Sequence, residues 1–291
     1  MKNIKRKLFL PALMFIFFSS SYAQDVPFVP TPYEVVEGML ELADVKGNDV
    51  VYDLGCGDGR IVVVAAKKYG VNGVGVDSSP ERIKESNDNA KENGVTEKVK
   101  FYEQNLFETD LREASVVTIY LLSEVNIKLR PKLFQELKPG SRVVSNSFDM
   151  DEWEPEERKV VGQRNIYLWI IPENFSGNWI GTMSGTNSEN VNLELSQKFQ
   201  KVNGTLQIGD NKYKISDVSH DGKKLHFKAA GEGDKKNELR FEGELNGNEI
   251  TFTVSSYDGK NINKQNITLE RNPDSITALD PALQKTEAAG K

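Results

Sequence analysis

Val50-Val51-Tyr52-Asp53-Leu54-Gly55-Cys56-Gly57-Asp58-Gly59-Arg60 is the stretch that decides the fold. The apolar run at 50–54 predicts a buried strand. The alternate glycines predict a tight turn, and the β-branched and alanine-rich residues after Gly59 predict a helix. A second apolar strand, Val74-Gly75-Val76, ends on Asp77, eighteen positions after Gly59. Glycines let backbone approach a ligand, and a carboxylate at the end of the second strand can accept hydrogen bonds from both hydroxyls of a ribose. The pair predicts a nucleoside pocket.

The spacing narrows the ligand. A dinucleotide fingerprint is G-x-G-x-x-G, with a helix N-terminus aimed at a pyrophosphate. Here the pattern is D-x-G-x-G-x-G, with one acid (Asp53) ahead of the loop and another (Asp58) inside it. Acids in those places repel phosphate and suit a cation. S-adenosylmethionine carries a sulfonium and an ammonium and no phosphate, whereas a nicotinamide dinucleotide, the ligand of an oxidoreductase, fits the spacing poorly.

The chain has 291 residues, enough for two domains, and a net charge of -6. That balance disfavours a nucleic-acid partner. The single cysteine, Cys56, excludes an intrachain disulfide and a cysteine zinc cluster, and no metal site is expected. The two histidines, His220 and His226, lie far from the glycine motif, which argues against histidine acid/base chemistry there. Lys2, Lys5, Arg6 and Lys7 precede an apolar run at 8–18, and Ser21-Tyr22-Ala23 places small residues before Gln24. Residues 1–23 therefore read as a signal peptide, and the protein as exported to the periplasm or cell envelope. If uncleaved, the same segment would anchor it and supply its sole membrane contact.

A proline-rich lead-in (Pro27, Pro30, Pro32) runs into a capping box, Thr31-Pro32-Tyr33-Glu34, with Thr31 as N-cap of a helix reaching about Ala43. Strands are predicted near 50–54, 73–77, 98–102, 115–121 and 141–146, and helices near 59–69, 80–93 and 126–137. A closing antiparallel hairpin is predicted at 160–161 and 166–171. The near-continuous apolar strands are those of a parallel sheet buried on both faces. The expectation for 24–172 is an α/β, doubly wound, seven-stranded Rossmann-like sheet. Beyond it the period changes to two: Val191/Leu193/Leu195, Leu225/Phe227 and Ile250/Phe252/Val254, with breakers such as Asn203-Gly204, Gly209-Asp210 and Asn246-Gly247. About eight short strands over 175–272 predict a smaller all-β antiparallel barrel or sandwich. Residues 273–291, poor in apolar side chains, predict a disordered tail.

These motifs resemble the class I S-adenosylmethionine-dependent methyltransferases. They are most similar to a bacterial group related to the mitochondrial lysine methyltransferases that modify the ATP synthase c-subunit and the adenine nucleotide translocase. The residues that carry the resemblance are 27–32, Asp53 to Arg60, Gly73 to Asp77, Asn105-Leu106-Phe107, 116–122, 129–133 and 137–145. It covers about residues 27–172. It implies S-adenosyl-L-methionine as cofactor, with Asp53, Gly55, Gly57 and Gly59 on the methionine and ribose side and Asp77 on the ribose. It places Asn105 and Leu106 near the adenine, and Thr31 in a segment closing over the methyl donor. Asn105 stands where many relatives have an aspartate, and Ser123 where many have a proline. The implied acceptor is a protein lysine.

Methyl transfer is an in-line displacement in which the enzyme chiefly aligns nucleophile and methyl. A lysine must shed a proton first. Tyr120, Glu124 and Asn126, at the end of the fourth strand and the helix start after it, are the candidate catalytic residues. No Asn-Pro-Pro-Tyr amine clamp is present, which argues against adenine-N6 and glutamine acceptors. The acidic run around Trp153 reads as a solvated loop whose tryptophan packs on the fold. The competing function is a non-catalytic exported protein with a nucleoside fold and a β-barrel ligand-binding module. It draws on the conflict between export and a cytosolic cofactor.

Overall fold

The computed structural model describes residues 29–184, 188–231, 234–257 and 260–284. The predicted signal peptide, residues 1–23, lies outside them. Strands β1 (Val50–Leu54), β2 (Asn72–Asp77), β3 (Val99–Glu103), β4 (Val116–Ile119) and β5 (Arg142–Asn146) run parallel. The hairpin β6 (Glu157–Val161) and β7 (Arg164–Ile170) joins them antiparallel. The sheet order is β3-β2-β1-β4-β5-β7-β6, so β7 inserts between β5 and β6. Helices α1 (Tyr33–Leu42), α2 (Arg60–Tyr69) and α3 (Pro80–Glu92) cover one face, where Val36, Met39, Val62 and Ala65 meet Val51, Val116 and Val144. Helix α4 (Ser123–Glu136) covers the other, with Leu129 and Leu133 against Val117 and Val143.

Local signals set the helix ends. Gly59 (φ 72°) opens α2 and Gly70 (φ 72°) closes it, both in the left-handed region that favours glycine. Ser79 caps α3 by accepting from the Arg82 amide, with Pro80 in the first turn. The predicted capping box does not form. Pro32 is the N-cap of α1 with no side-chain cap, because the Thr31 hydroxyl instead accepts from Asn146 Nδ2 at 3.3 Å. Helix α4 starts at Ser123, three residues before the predicted 126.

The second half is a closed, eight-stranded antiparallel barrel, which settles the choice against a sandwich. Its strands are β8 (Gly177–Met183), β9 (Glu189–Lys198), β10 (Lys201–Ile208), β11 (Asn211–Asp221), β12 (Lys224–Gly231), β13 (Asp234–Asn246), β14 (Glu249–Tyr257) and β15 (Ile262–Arg271). Each pairs with its neighbour, and β15 returns to pair with β8. Inward and outward residues alternate most regularly along β9, where Val191, Leu193, Leu195 and Gln197 are buried and the residues between are exposed. Phe227, Phe241 and Phe252, on the neighbouring strands β12, β13 and β14, meet inside at centroid distances of 4.6–5.6 Å. Asn203-Gly204, predicted as a breaker, lies within β10; a Cβ at Gly204 would come 2.1 Å from the Glu194 carbonyl, so the glycine serves close strand approach.

Of the segment expected as a tail, residues 273–284 are described, and 285–291 lie outside the described residues. A 3-10 turn (Pro273–Ser275) follows the barrel, and Leu279 and Asp280 are buried. Burial of Leu279, hydrogen bonds from Asn174 and Ser176 to Thr277, and the ion pair described below hold this segment. No helix among the described residues is long and apolar enough to cross a membrane.

Candidate functional site

The C-terminal ends of the parallel strands open on a cleft of about 660 Å³, a volume within the range of small-molecule sites. Asp53, Gly55, Asp77, Asn105, Leu106, Thr31 and Tyr120 line it, so the sheet gathers residues from 31 to 120 at one edge. Gly57 and Gly59 shape the loop beneath: Gly57 N donates to Asp77 Oδ2 at 3.0 Å, and Ser79 N donates to Asp77 Oδ1 at 3.0 Å. Two backbone amides thus fix the carboxylate and leave each oxygen a further lone pair for a diol.

Asp53 sits at the strand end, 2% exposed, and accepts from Thr118 Oγ1 at 2.8 Å. Burial raises its pKa to about 7, against the lowering by Thr118, and the nearby Asp77 and Asp58 add to the rise. The charge of Asp58, expected to face a cation, is spent on Arg60, whose Nε and Nη2 reach its carboxylate at 2.9 and 2.5 Å. The same guanidinium donates to the Thr31 carbonyl at 2.9 Å and lies over the Tyr33 ring, which ties the 29–31 segment to the cleft wall. Asn105 caps the 3-10 turn Leu106–Glu108 by accepting from Phe107 N at 3.1 Å. Cys56 is buried against Ser86, and burial pushes its thiol well above the ordinary range, so it is a packing residue.

Of the three catalytic candidates only Tyr120 reaches the cleft. Glu124 is exposed in the first turn of α4. Asn126 is fully buried behind the cleft, and its Nδ2 donates to the Phe148 and Asp149 carbonyls at 3.3 and 3.2 Å. Through these bonds it holds the loop after β5. Around Tyr120 stand residues absent from the sequence expectation. Arg164 Nη1 donates to the Tyr120 hydroxyl at 2.9 Å, and the Phe148 ring stacks on Tyr120 at 6.1 Å. Arg60, Arg82 and Gln104 line the cleft itself. These residues arrive from β7, from the loop after β5, from the end of β3 and from helix starts, and sheet order brings them together.

The acidic run is used structurally. Trp153 is buried against Phe134 and Trp169, as expected. Glu152 pairs with Lys198, Glu154 pairs with Lys201, and Glu156 accepts from Ile170 N.

The cleft fits a compact cationic adenosyl compound. It has a fixed carboxylate for a ribose, glycine backbone for close approach, and a second acid, Asp53, at the strand end. The fold and this cleft define a methyltransferase that uses S-adenosyl-L-methionine, and comparison with known proteins agrees. The ANTKMT methyltransferase domain family matches residues 53–157. A protein-lysine N-methyltransferase of Saccharolobus islandicus is 50% identical over 158 residues, 53% of this chain and 98% of that protein. The human ATP synthase C-subunit lysine N-methyltransferase is 32% identical over 144 residues, and the chain spans 60% of its length. A crystal structure described as an RNA methyltransferase from Salinibacter ruber, in complex with S-adenosyl-L-homocysteine, is 52% identical, with a TM-score of 0.50 over 50% of this chain and 96% of that one. The chain belongs to the ANTKMT-type methyltransferase family. The matched span ends before the barrel begins.

Proposed function

We propose that this methyltransferase acts on lysine side chains of protein, with Asp77 on the ribose, Asp53 and Gly55 toward the methionine end, Asn105 and Leu106 beside the adenine, and Thr31 over the methyl donor. The observation that carries the acceptor is the 50% identity to a protein-lysine N-methyltransferase over nearly all of its length. Bound S-adenosyl-L-methionine supplies an activated methyl on a sulfonium carbon. What the chain's own residues add is alignment. Tyr120 walls the end of the cleft toward β4, which we take as the acceptor end, and the Phe148 ring backs it by stacking on it. Arg164 fixes the Tyr120 ring there by hydrogen bond and by lying 5.6 Å from its centroid. A lysine enters as the neutral amine and presents its lone pair along the C–S axis. Export through residues 1–23 remains part of this reading.

The relative described as an RNA methyltransferase supplies the second reading. One experiment separates the two. Protein and RNA from cells lacking the gene are incubated with the purified chain and tritiated S-adenosyl-L-methionine, then hydrolysed. Label in methyl-lysine is expected. Label in methylated nucleosides, or in neither fraction, overturns the lysine assignment.

A further inference from the structure

None of the side chains lining the cleft comes from the barrel. The barrel nevertheless grips the methyltransferase half through a buried joint. Asp280 is 0% exposed, and its carboxylate accepts from Arg130 Nε at 2.8 Å and from Nη2 at 3.3 Å. Arg130, on α4, is itself buried, and its Nη1 donates to the Met150 carbonyl at 3.0 Å. Its guanidinium lies 4.9 Å from the centre of the Phe199 ring, and Phe199 N donates to the Leu279 carbonyl at 2.9 Å. One cation thereby joins α4, the loop after β5, the β9–β10 turn and the segment after β15. Phe199 takes φ 54°, a left-handed conformation uncommon for a phenylalanine, in making this contact.

The path from the joint to the cleft is short. Met150 is two residues from Phe148. The Phe148 carbonyl accepts from Ser145 Oγ at 2.6 Å and from Asn126 Nδ2, so this loop is pinned from below by β5 and α4. Arg130 pins its far side through Met150. The loop's outward ring is the one that stacks on Tyr120. The exposed pairs Lys198–Glu152 and Lys201–Glu154, at 2.6 and 2.8 Å, add little, since solvent screens them. A buried, hydrogen-bonded pair is different: without Asp280, Arg130 keeps only the half-exposed Glu152 carboxylate, 3.8 Å away, as a counter-charge.

We propose that the barrel and the turn after it set the acceptor end of the cleft. Asp280, through Arg130 and Met150, holds Phe148 against Tyr120. Asp280 and Arg130 are positioning residues, and the barrel is a working part of the transferase. The proposal rests on the reading of the Tyr120 end as the acceptor end.

The test uses the full chain, with Asp280→Asn, which keeps shape and removes charge, and Phe199→Leu as a second variant. S-adenosyl-L-homocysteine binding is measured by calorimetry, kcat and KM for methyl-lysine formation on protein extracted from cells lacking the gene, and amide exchange along residues 147–151. Expected for Asp280→Asn are a KM for extract protein at least fivefold higher than wild type, an S-adenosyl-L-homocysteine Kd within twofold of wild type, and exchange at 148–151 at least tenfold faster than in wild type while exchange at 53–59 is unchanged. A folded variant with unchanged KM and unchanged exchange overturns the proposal. So does a loss of cofactor affinity equal to the rise in KM, which would mark general loosening. If wild type labels no lysine, the acceptor reading fails, and exchange at 148–151 still decides the joint. If Asp280→Asn does not fold, Phe199→Leu is held to the same measurements.

Discussion

The two halves bury different things. The sheet half sinks polar groups where its parallel strands end: Asp53, Thr118, Ser145 and Asn146 are all buried along one edge. The barrel interior is apolar from Trp179 to Leu269, with three phenylalanines clustered on β12, β13 and β14. Both halves have buried cores, and only one keeps a cleft with charge at its floor. Where a chain is filling space it excludes polar atoms, because each costs desolvation unless paired. Where it is doing chemistry it keeps them and holds them with partners. The barrel's exceptions, Gln197 and Ser176, bond the segment that leads into it, and Asp280 bonds Arg130. Polarity in that half marks attachment.

This contrast can be broken in three ways. The largest effect is expected from Phe252→Ala, which empties space between Phe227 and Phe241. A loss of about 3–5 kcal/mol is expected from such a truncation, read as a shift in the denaturant midpoint of the full chain. A shift under about 1 kcal/mol would mean that the barrel relaxes around the gap and is less tightly packed than its rings imply.

Next is Asp77→Ala, directed at the other half. Loss of the carboxylate that the Gly57 and Ser79 amides hold should weaken S-adenosyl-L-homocysteine binding at least about 100-fold, or about 2.7 kcal/mol. Circular dichroism should show the chain still folded. Calorimetry that finds wild-type heat would remove Asp77 from the cofactor site.

The smallest is a pH effect. Burial holds the Asp53 proton up to about 7. A cationic amino group prefers the ionised carboxylate, so affinity should climb about tenfold as pH rises from 6 to 8. Asp53→Asn should flatten the profile. The folding linkage has the opposite sense. Because the folded pKa is raised above the unfolded one, the folded chain is favoured in acid and loses stability as pH rises from about 4 to about 7. A wild-type affinity flat across pH 6–8 would show that Asp53 does not titrate against the ligand.

Most of the architecture was legible in the sequence, since periodicity and glycine spacing are local. Asp53 through Gly59, with Asp77, can be read without the fold because the turn and the carboxylate are tied by short separations. Legibility fails where a side chain has two offers. Thr31 has the spacing of an N-cap, and Asn146, 115 residues away, takes its hydroxyl. Asn203-Gly204 has the composition of a turn, and strand approach claims the glycine. Arg164 and Phe148 were invisible because β7 crosses inside β6, and no local signal announces that order. Asp280 sits in a polar stretch whose single buried acid is recognisable only beside Arg130, 150 residues upstream.

The closure of the barrel by its first and last strands, Gly181 against Leu269 in register, has a consequence for biosynthesis. A meander that lacks its final strand leaves an unpaired edge on β8, so the ring completes only after residue 271 has left the ribosome. The parallel sheet, finished with β7, is free to form much earlier, and domains emerge and fold in chain order. Arg130 therefore has only Glu152 and the Met150 carbonyl beside it until the late-arriving aspartate docks. Nascent chains stalled before residue 280 should bind the cofactor analogue before they gain protease resistance at 148–153.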